Sequence, residues 1–139
     1  MDIEIFRVGQ GDADRLTDIA EDVFDDDIDP ALLAAYLAEP GHILLVACHE
    51  GRVVGQVQAV IHRHVDQGPE LYVDNLGVTP GLRRRGVARR LMDEVYALGR
   101  RMGCVETWVG TEPDNVEARG LYASYGSEAE AVVIYARDL

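Results

Sequence analysis

Alternating apolar residues open the chain. Ile3, Ile5 and Val8, with Glu4 and Arg7 between them, predict a first strand. After a Gly9–Gly11 turn, Asp12 is a candidate N-cap, and Leu16, Ile19, Ala20, Val23 and Phe24 recur at helical spacing. The run Asp25-Asp26-Asp27-Ile28-Asp29-Pro30 ends that helix, and Pro30 suits the first turn of a second one through Leu32, Leu33, Tyr36 and Leu37. Ile43 to Cys48 is unbroken apolar sequence, the mark of a buried strand. Glu50-Gly51 turns the chain into a partner strand from Val53 to Ile61.

Glu70 to Asp74 alternates again, and Leu76 and Val78 carry the pattern on until Pro80-Gly81 breaks it. From Val87 the apolar positions Ala88, Leu91, Met92, Val95, Leu98 and Met102 form a helical stripe. Cys104 to Val109 predicts a strand, Asn115 to Tyr125 a short helix ended by Gly126, and Val132 to Tyr135 a last strand. The order βααβββαβαβ, with early antiparallel strands and a later βαβ crossover, describes a mixed α/β fold of one sheet layer flanked by helices. A single domain over residues 1–139 follows, with no repeat or linker.

Charge changes the picture more than composition does. Apolar residues make up 47%, ordinary for a globular chain, but the formal net charge is −12 and every basic residue is arginine. Residues 1–40 hold 12 acidic groups against only Arg7 and Arg15, whereas seven arginines fall between Arg83 and Arg101. One region should take an anion and another should attract cations. So acidic a domain disfavours nucleic acid as a partner. No apolar run approaches a membrane span and the N-terminus lacks a signal core, so no membrane partner is expected and the cytoplasm is the expected location. Cys48 and Cys104 read as reduced core residues. His62-Arg63-His64 is a solvated strand end rather than a metal site, and no metal is expected.

The candidate chemistry lies between the strand ending at Val78 and the helix opening at Val87. Arg83, Arg84, Arg85 and Gly86 precede that helix, whose first four N–H groups have no intrahelical acceptor and whose dipole adds positive potential. This is an anion site suited to a pyrophosphate. Gly81 and Gly86 have the spacing of a phosphate-binding loop, but Val87 and Ala88 stand where that loop needs Lys and Ser/Thr. No G-x-G-x-x-G is present either.

The segment Arg83-x-x-Gly86-x-Ala88 resembles the acetyl-CoA loop of the GNAT N-acetyltransferase superfamily. Asn115-x-x-Ala118-x-x-Leu121-Tyr122-x-x-x-Gly126 is similar to its second signature. Ser127 departs from the pattern, standing where an aromatic or large apolar residue is usual, which weakens the packing of the last loop. The resemblance implies a single-domain GNAT fold, a mixed and mostly antiparallel sheet whose central strands splay to admit acetyl-CoA. It implies that Leu76, Gly77 and Val78 pair with the pantetheine and that Arg83, Arg84, Arg85, Gly86, Val87 and Ala88 cradle the pyrophosphate. Asn115 would bond the pantetheine arm and Tyr122 would protonate the leaving thiolate.

An amine nucleophile must lose a proton before or during attack. Glu70 and Asp74, on the strand leading to the loop, are the candidate bases, with Asp74 favoured because it lies nearer the splay. VFDDDID, GRVVGQVQAV and ELYVDNLGV resemble type I aminoglycoside 3-N-acetyltransferases and their uncharacterised relatives, although Asn75 stands where an aspartate is expected. In that resemblance Asp25, Asp26, Asp27 and Asp29 line the rim of a cleft for a small cationic amine. The implied activity is acetyl transfer to a primary amine, with an aminoglycoside 3-N acceptor, a protein or polyamine acceptor, and a non-catalytic acyl-CoA-binding module as the alternatives. The family also implies a homodimer.

Overall fold

The computed structural model describes residues 1–139 as ten short elements around one sheet. They are β1 (Glu4–Arg7), a 3₁₀ turn (Ala13–Leu16), α1 (Pro30–Ala38), β2 (His42–His49), β3 (Arg52–His62), β4 (Glu70–Val78), a second 3₁₀ turn (Pro80–Leu82), α2 (Val87–Arg101), β5 (Glu106–Val109) and α3 (Val116–Ala123). The strands lie in sequence order, β1 through β4 antiparallel and β5 parallel to β4. α2 is the crossover that the parallel pair requires. No helix is long and apolar enough to cross a membrane.

Register decides which residues reach which face. Leu45, Val57 and Leu76 stand in line across β2, β3 and β4, and Val57, Leu71 and Val73 are buried with Leu91, Met92 and Val95 of α2 in one apolar cluster. Gly99 lets α2 come down on the sheet, since a Cβ there would sit 3.0 Å from Leu71 Cδ2. Gln56, Gln58, Asn75 and Gly77 lie on the opposite face, covered in part by the loop through Val23. β4 carries one residue more than β3 between Asn75 and Val73, so Asp74 occupies a bulge.

Two sequence expectations fail. The helix expected over Leu16 to Phe24 is absent beyond the 3₁₀ turn. Its backbone bonds go elsewhere: Val53 N–H donates to Asp18 O, Ala20 N–H donates to Val53 O, and Ile19 bridges Val53. β4 pairs with β3 only as far as Gly55, so Val53 is left to the incoming segment, and pairing with it replaces a helix rich in aspartate. The last strand expected over Val132–Tyr135 also fails, because that segment is irregular and exposed with no sheet neighbour. α1 begins as expected: the Asp29 Oδ1 accepts from Ala31 N and Leu32 N, with Pro30 in the first turn.

Candidate functional site

Two glycines bring the end of β4 to the start of α2. A Cβ on Gly55 would lie 3.2 Å from both Val87 Cγ1 and Leu91 Cδ1, so the first turns of α2 rest directly on β3 opposite Val78. Gly86 turns the chain into the helix at φ +80°, a left-handed conformation that glycine adopts without strain. Arg84 shares that region at φ +64°. The loop Arg83 to Gly86 is exposed throughout.

No backbone N–H from Arg84 to Arg89 donates to a carbonyl, and the first main-chain bond of the helix is Arg90 N to Gly86 O. Six successive donors are therefore left without a main-chain acceptor at the positive end of a 15-residue helix. Arg83, Arg84 and Arg85 add formal charge. Such a cradle fits a phosphate or pyrophosphate group.

Beside the cradle, β4 runs on alone. Its pairing with β5 covers only Glu70↔Glu106 to Val73↔Val109, so Asp74 to Val78 have β3 on one side and a gap on the other. Leu76, Gly77 and Val78 thus offer a free strand edge to an amide-bearing ligand arm. α3 closes the far side. Tyr125 donates its hydroxyl to Asp93 Oδ1 at 2.6 Å and to Arg89 O at 3.1 Å, and Arg84 Nη2 stands 3.4 Å from Glu117 Oε1. These contacts hold α3 against the arginine loop and the first turns of α2.

Asn115 caps α3, its Oδ1 accepting from Ala118 N at 3.1 Å. This fixes the carboxamide while its Nδ2 makes no protein hydrogen bond. Tyr122 is half-buried two turns further on, and burial followed by the nearby Tyr96 raises its pKa, so the phenol stays protonated at neutral pH.

The two carboxylates of β4 separate. Glu70 lies at the strand start, ~26 Å along the chain from Val78, with His64 Nε2 3.0 Å from its Oε1 in a contact too poorly angled for a hydrogen bond. Asp74 is exposed at the first position beyond the paired stretch. Its charge is felt by two phenols: Tyr72 is raised by desolvation and then by Asp74, and Tyr36 is pushed up to about 12 by the same two causes.

The acidic loop reaches this region through a chain of amides. Gln58 Nε2 donates to Gln56 Oε1 at 3.3 Å and Gln56 Nε2 to Asn75 Oδ1 at 2.6 Å. Asn75 Nδ2 donates in turn to Asp25 Oδ2 at 3.3 Å. Asp26 and Asp27 are exposed without protein partners, while Asp29 is occupied as the α1 cap. Sequence reasoning left Tyr36, Gln56 and Trp108 as ordinary helix or strand positions. Tyr36 donates to the carbonyls of Ile43 and Ala59, and Trp108 stacks on Tyr72 with ring centroids 4.1 Å apart. The readable signal was Gln56, a polar residue inside the run Val53 to Ile61 that is fully buried.

The sequence profile of the acetyltransferase (GNAT) family matches residues 13–126. An uncharacterised N-acetyltransferase of Mycobacterium tuberculosis is 34% identical over 102 residues, 73% of this chain, and the chain spans 63% of that relative's length. An aminoglycoside N(6′)-acetyltransferase type 1 of Salmonella typhimurium is 31% identical over 113 residues, covering 73% of this chain and 78% of the relative. Among solved structures, an aminoglycoside acetyltransferase from an uncultured soil metagenomic sample superposes over 100% of both chains with TM-score 0.86 at 21% identity. An aminoglycoside N-acetyltransferase solved with the bisubstrate analogue CoA-S-monomethyl-acetylneamine covers 100% of both chains at TM-score 0.80 and 25% identity. With the profile spanning most of its length, the chain belongs to the acetyltransferase (GNAT) family.

Proposed function

We propose that this protein transfers an acetyl group from acetyl-CoA to a primary amine of a small, multiply cationic molecule, with an aminoglycoside as the leading acceptor. The observation that carries the reading is the run of six unpaired N–H groups from Arg84 to Arg89 beside the lone stretch of β4. One face offers donors for a diphosphate, and the adjoining strand edge offers amide partners for a pantetheine arm. Acetyl-CoA supplies the activated acyl group.

The protein's own residues supply orientation and proton traffic. Arg83, Arg84, Arg85, Gly86, Val87 and Ala88 hold the pyrophosphate, and Leu76, Gly77, Val78 and Asn115 align the arm. Asp74 takes the proton that the amine loses, directly or through water, and Tyr122 gives its hydroxyl proton to the departing sulfur. Glu70, held by His64 at the other end of β4, is the second candidate base. Asp25, Asp26 and Asp27 attract the cationic acceptor, with Asp29 adding charge from the helix cap.

The amine attacked on an aminoglycoside is either the 3-N position implied by the sequence resemblance or the 6′ amine after which the Salmonella relative is named. A polyamine or protein amine is the second acceptor class, favoured by the open, exposed setting of Asp26 and Asp27. A cytoplasmic setting fits, since both cysteines are free thiols. Calorimetry with acetyl-CoA, followed by thiol release across an aminoglycoside and polyamine panel, tests the reading. Turnover on an aminoglycoside supports it, binding without turnover on any amine makes the protein an acyl-CoA-binding module, and no binding overturns it.

A further inference from the structure

Of the seven arginines between Arg83 and Arg101, only Arg84 forms an ion pair with a carboxylate. Its partner is Glu117 in the first turn of α3, with Arg84 Nη2 3.4 Å from Glu117 Oε1. Neither side chain makes any other bond. The neighbouring arginines are placed differently. Arg83 Nε donates to Val78 O at 3.4 Å, which ties it to the end of β4, and Arg85 makes no side-chain bond. One guanidinium of the cradle is thus already shared with an anion that belongs to the protein.

The second observation is how lightly this contact is held. The far end of α3 is anchored by several bonds: Tyr125 donates to Asp93 and to Arg89 O, and Arg89 donates to Ser124 Oγ. Its first turn reaches the arginine loop only through Glu117. Arg84 is 85% exposed and Glu117 62%, so water and salt screen the pair and the two chains part readily. The loop beneath is not relaxed either. Arg84 has φ +64°, a left-handed conformation that residues with a Cβ rarely adopt, and its N–H is the first of the unpaired donors.

We propose that Glu117 competes with the diphosphate for Arg84: the carboxylate gives way as acetyl-CoA enters and takes the guanidinium back as CoA leaves. The proposal rests on the reading of Arg83 to Ala88 as a pyrophosphate cradle. A guanidinium presents a planar fork of N–H donors that a carboxylate and a phosphate fill alike, so one anion can replace the other on the same side chain. Acetyl-CoA and CoA carry the same diphosphate, and the competition therefore loosens substrate and product equally. Its benefit falls on the product, whose departure frees the site for the next round. Glu117 touches no reacting atom; it sets how tightly the cofactor is held.

Calorimetry on the full chain with acetyl-CoA, CoA and acetyl-pantetheine, a thioester without the diphosphate, tests the competition. Glu117→Gln should bind acetyl-CoA and CoA about threefold more tightly at low salt, and added salt should erase the gain. Glu117→Asp keeps the charge and the acidic first turn of α3 but is one methylene too short to reach Arg84, and it should gain as much. Affinity for acetyl-pantetheine should be the same in all three proteins. Unchanged or weaker acetyl-CoA binding in Glu117→Gln overturns the proposal, since the carboxylate then serves α3 alone. A gain in Glu117→Gln without one in Glu117→Asp overturns it too, because charge and not the contact is then the cause. An equal gain with acetyl-pantetheine does the same, as no phosphate is involved. A wild type that binds no acetyl-CoA is a separate failure, that of the cradle itself, and takes the proposal with it.

Discussion

The carboxamide nitrogen of Gln56 lies 3.0 Å from the carbonyl oxygen of Val23, on a side chain with no exposure to solvent. The same nitrogen donates to Asn75, which holds Asp25. One buried amide thus ties the acidic loop to the strand that borders the cofactor gap. Gln56→Leu leaves the Val23 carbonyl and the Asn75 oxygen without a donor, at a cost of about 1–3 kcal/mol. Urea denaturation should show a lower midpoint at unchanged slope. The KM for the amine should rise while acetyl-CoA affinity holds, because only the acceptor side is released. Equal loss on both sides would mean that the amide supports the sheet alone.

Arg84→Glu reverses a charge in the cradle and should weaken acetyl-CoA binding about tenfold, on the order of 1.4 kcal/mol. Gly86→Val should do the same by another route, since a β-branched residue is strained at φ +80°. Calorimetry reads both. Unchanged affinity in Arg84→Glu would remove that arginine from the site.

Tyr122→Phe should lower kcat about a hundredfold and leave the acetyl-CoA Kd unchanged, as the loss of a proton donor predicts. A parallel loss of affinity would assign the ring to packing against Tyr96. Asp74→Asn should depress kcat, while Glu70→Gln leaves it near wild type. The reverse pattern would move the base to the other end of β4.

Tyr36 gives a pH dependence of stability. Its hydroxyl donates to Ile43 O at 2.6 Å and Ala59 O at 3.1 Å, and burial with Asp74 nearby raises its pKa from the ordinary 10 to about 12. Between those values the unfolded chain loses this proton and the folded one keeps it, so the contribution is full below pH 10 and is lost as pH climbs through the folded value. Denaturation midpoints should fall over that window in the wild type and fall less steeply in Tyr36→Phe.

The parts of this fold that repeat were legible in the sequence. β2, β3, β4 and α2 bury regular faces, and their apolar spacing announces them. Residues 13–24 misled because Leu16, Ala20 and Val23 are buried at helical spacing in a segment whose backbone pairs with Val53. Periodicity reports which side chains are buried, not where main-chain hydrogen bonds go. The bulge at Asp74 was invisible for the same reason, since one extra residue in β4 leaves the alternation on either side intact. The arginine loop was read correctly as a loop before a helix because Pro80, Gly81 and Gly86 punctuate it. Val132–Tyr135 has a strand's composition but no partner within the chain, and composition carries no information about whose edge a strand joins.

Gly77 has no room for anything larger: a Cβ there would sit 2.2 Å from the Val23 carbonyl oxygen. The edge that would grip the donor and the loop that would greet the acceptor thus meet, main chain against main chain, at Gly77 and Val23. A descendant that altered its amine preference by redrawing residues 22–29 would be free to change their charges and their length. It would still have to return one carbonyl to the same spot above residue 77, or surrender the alignment of both substrates at once.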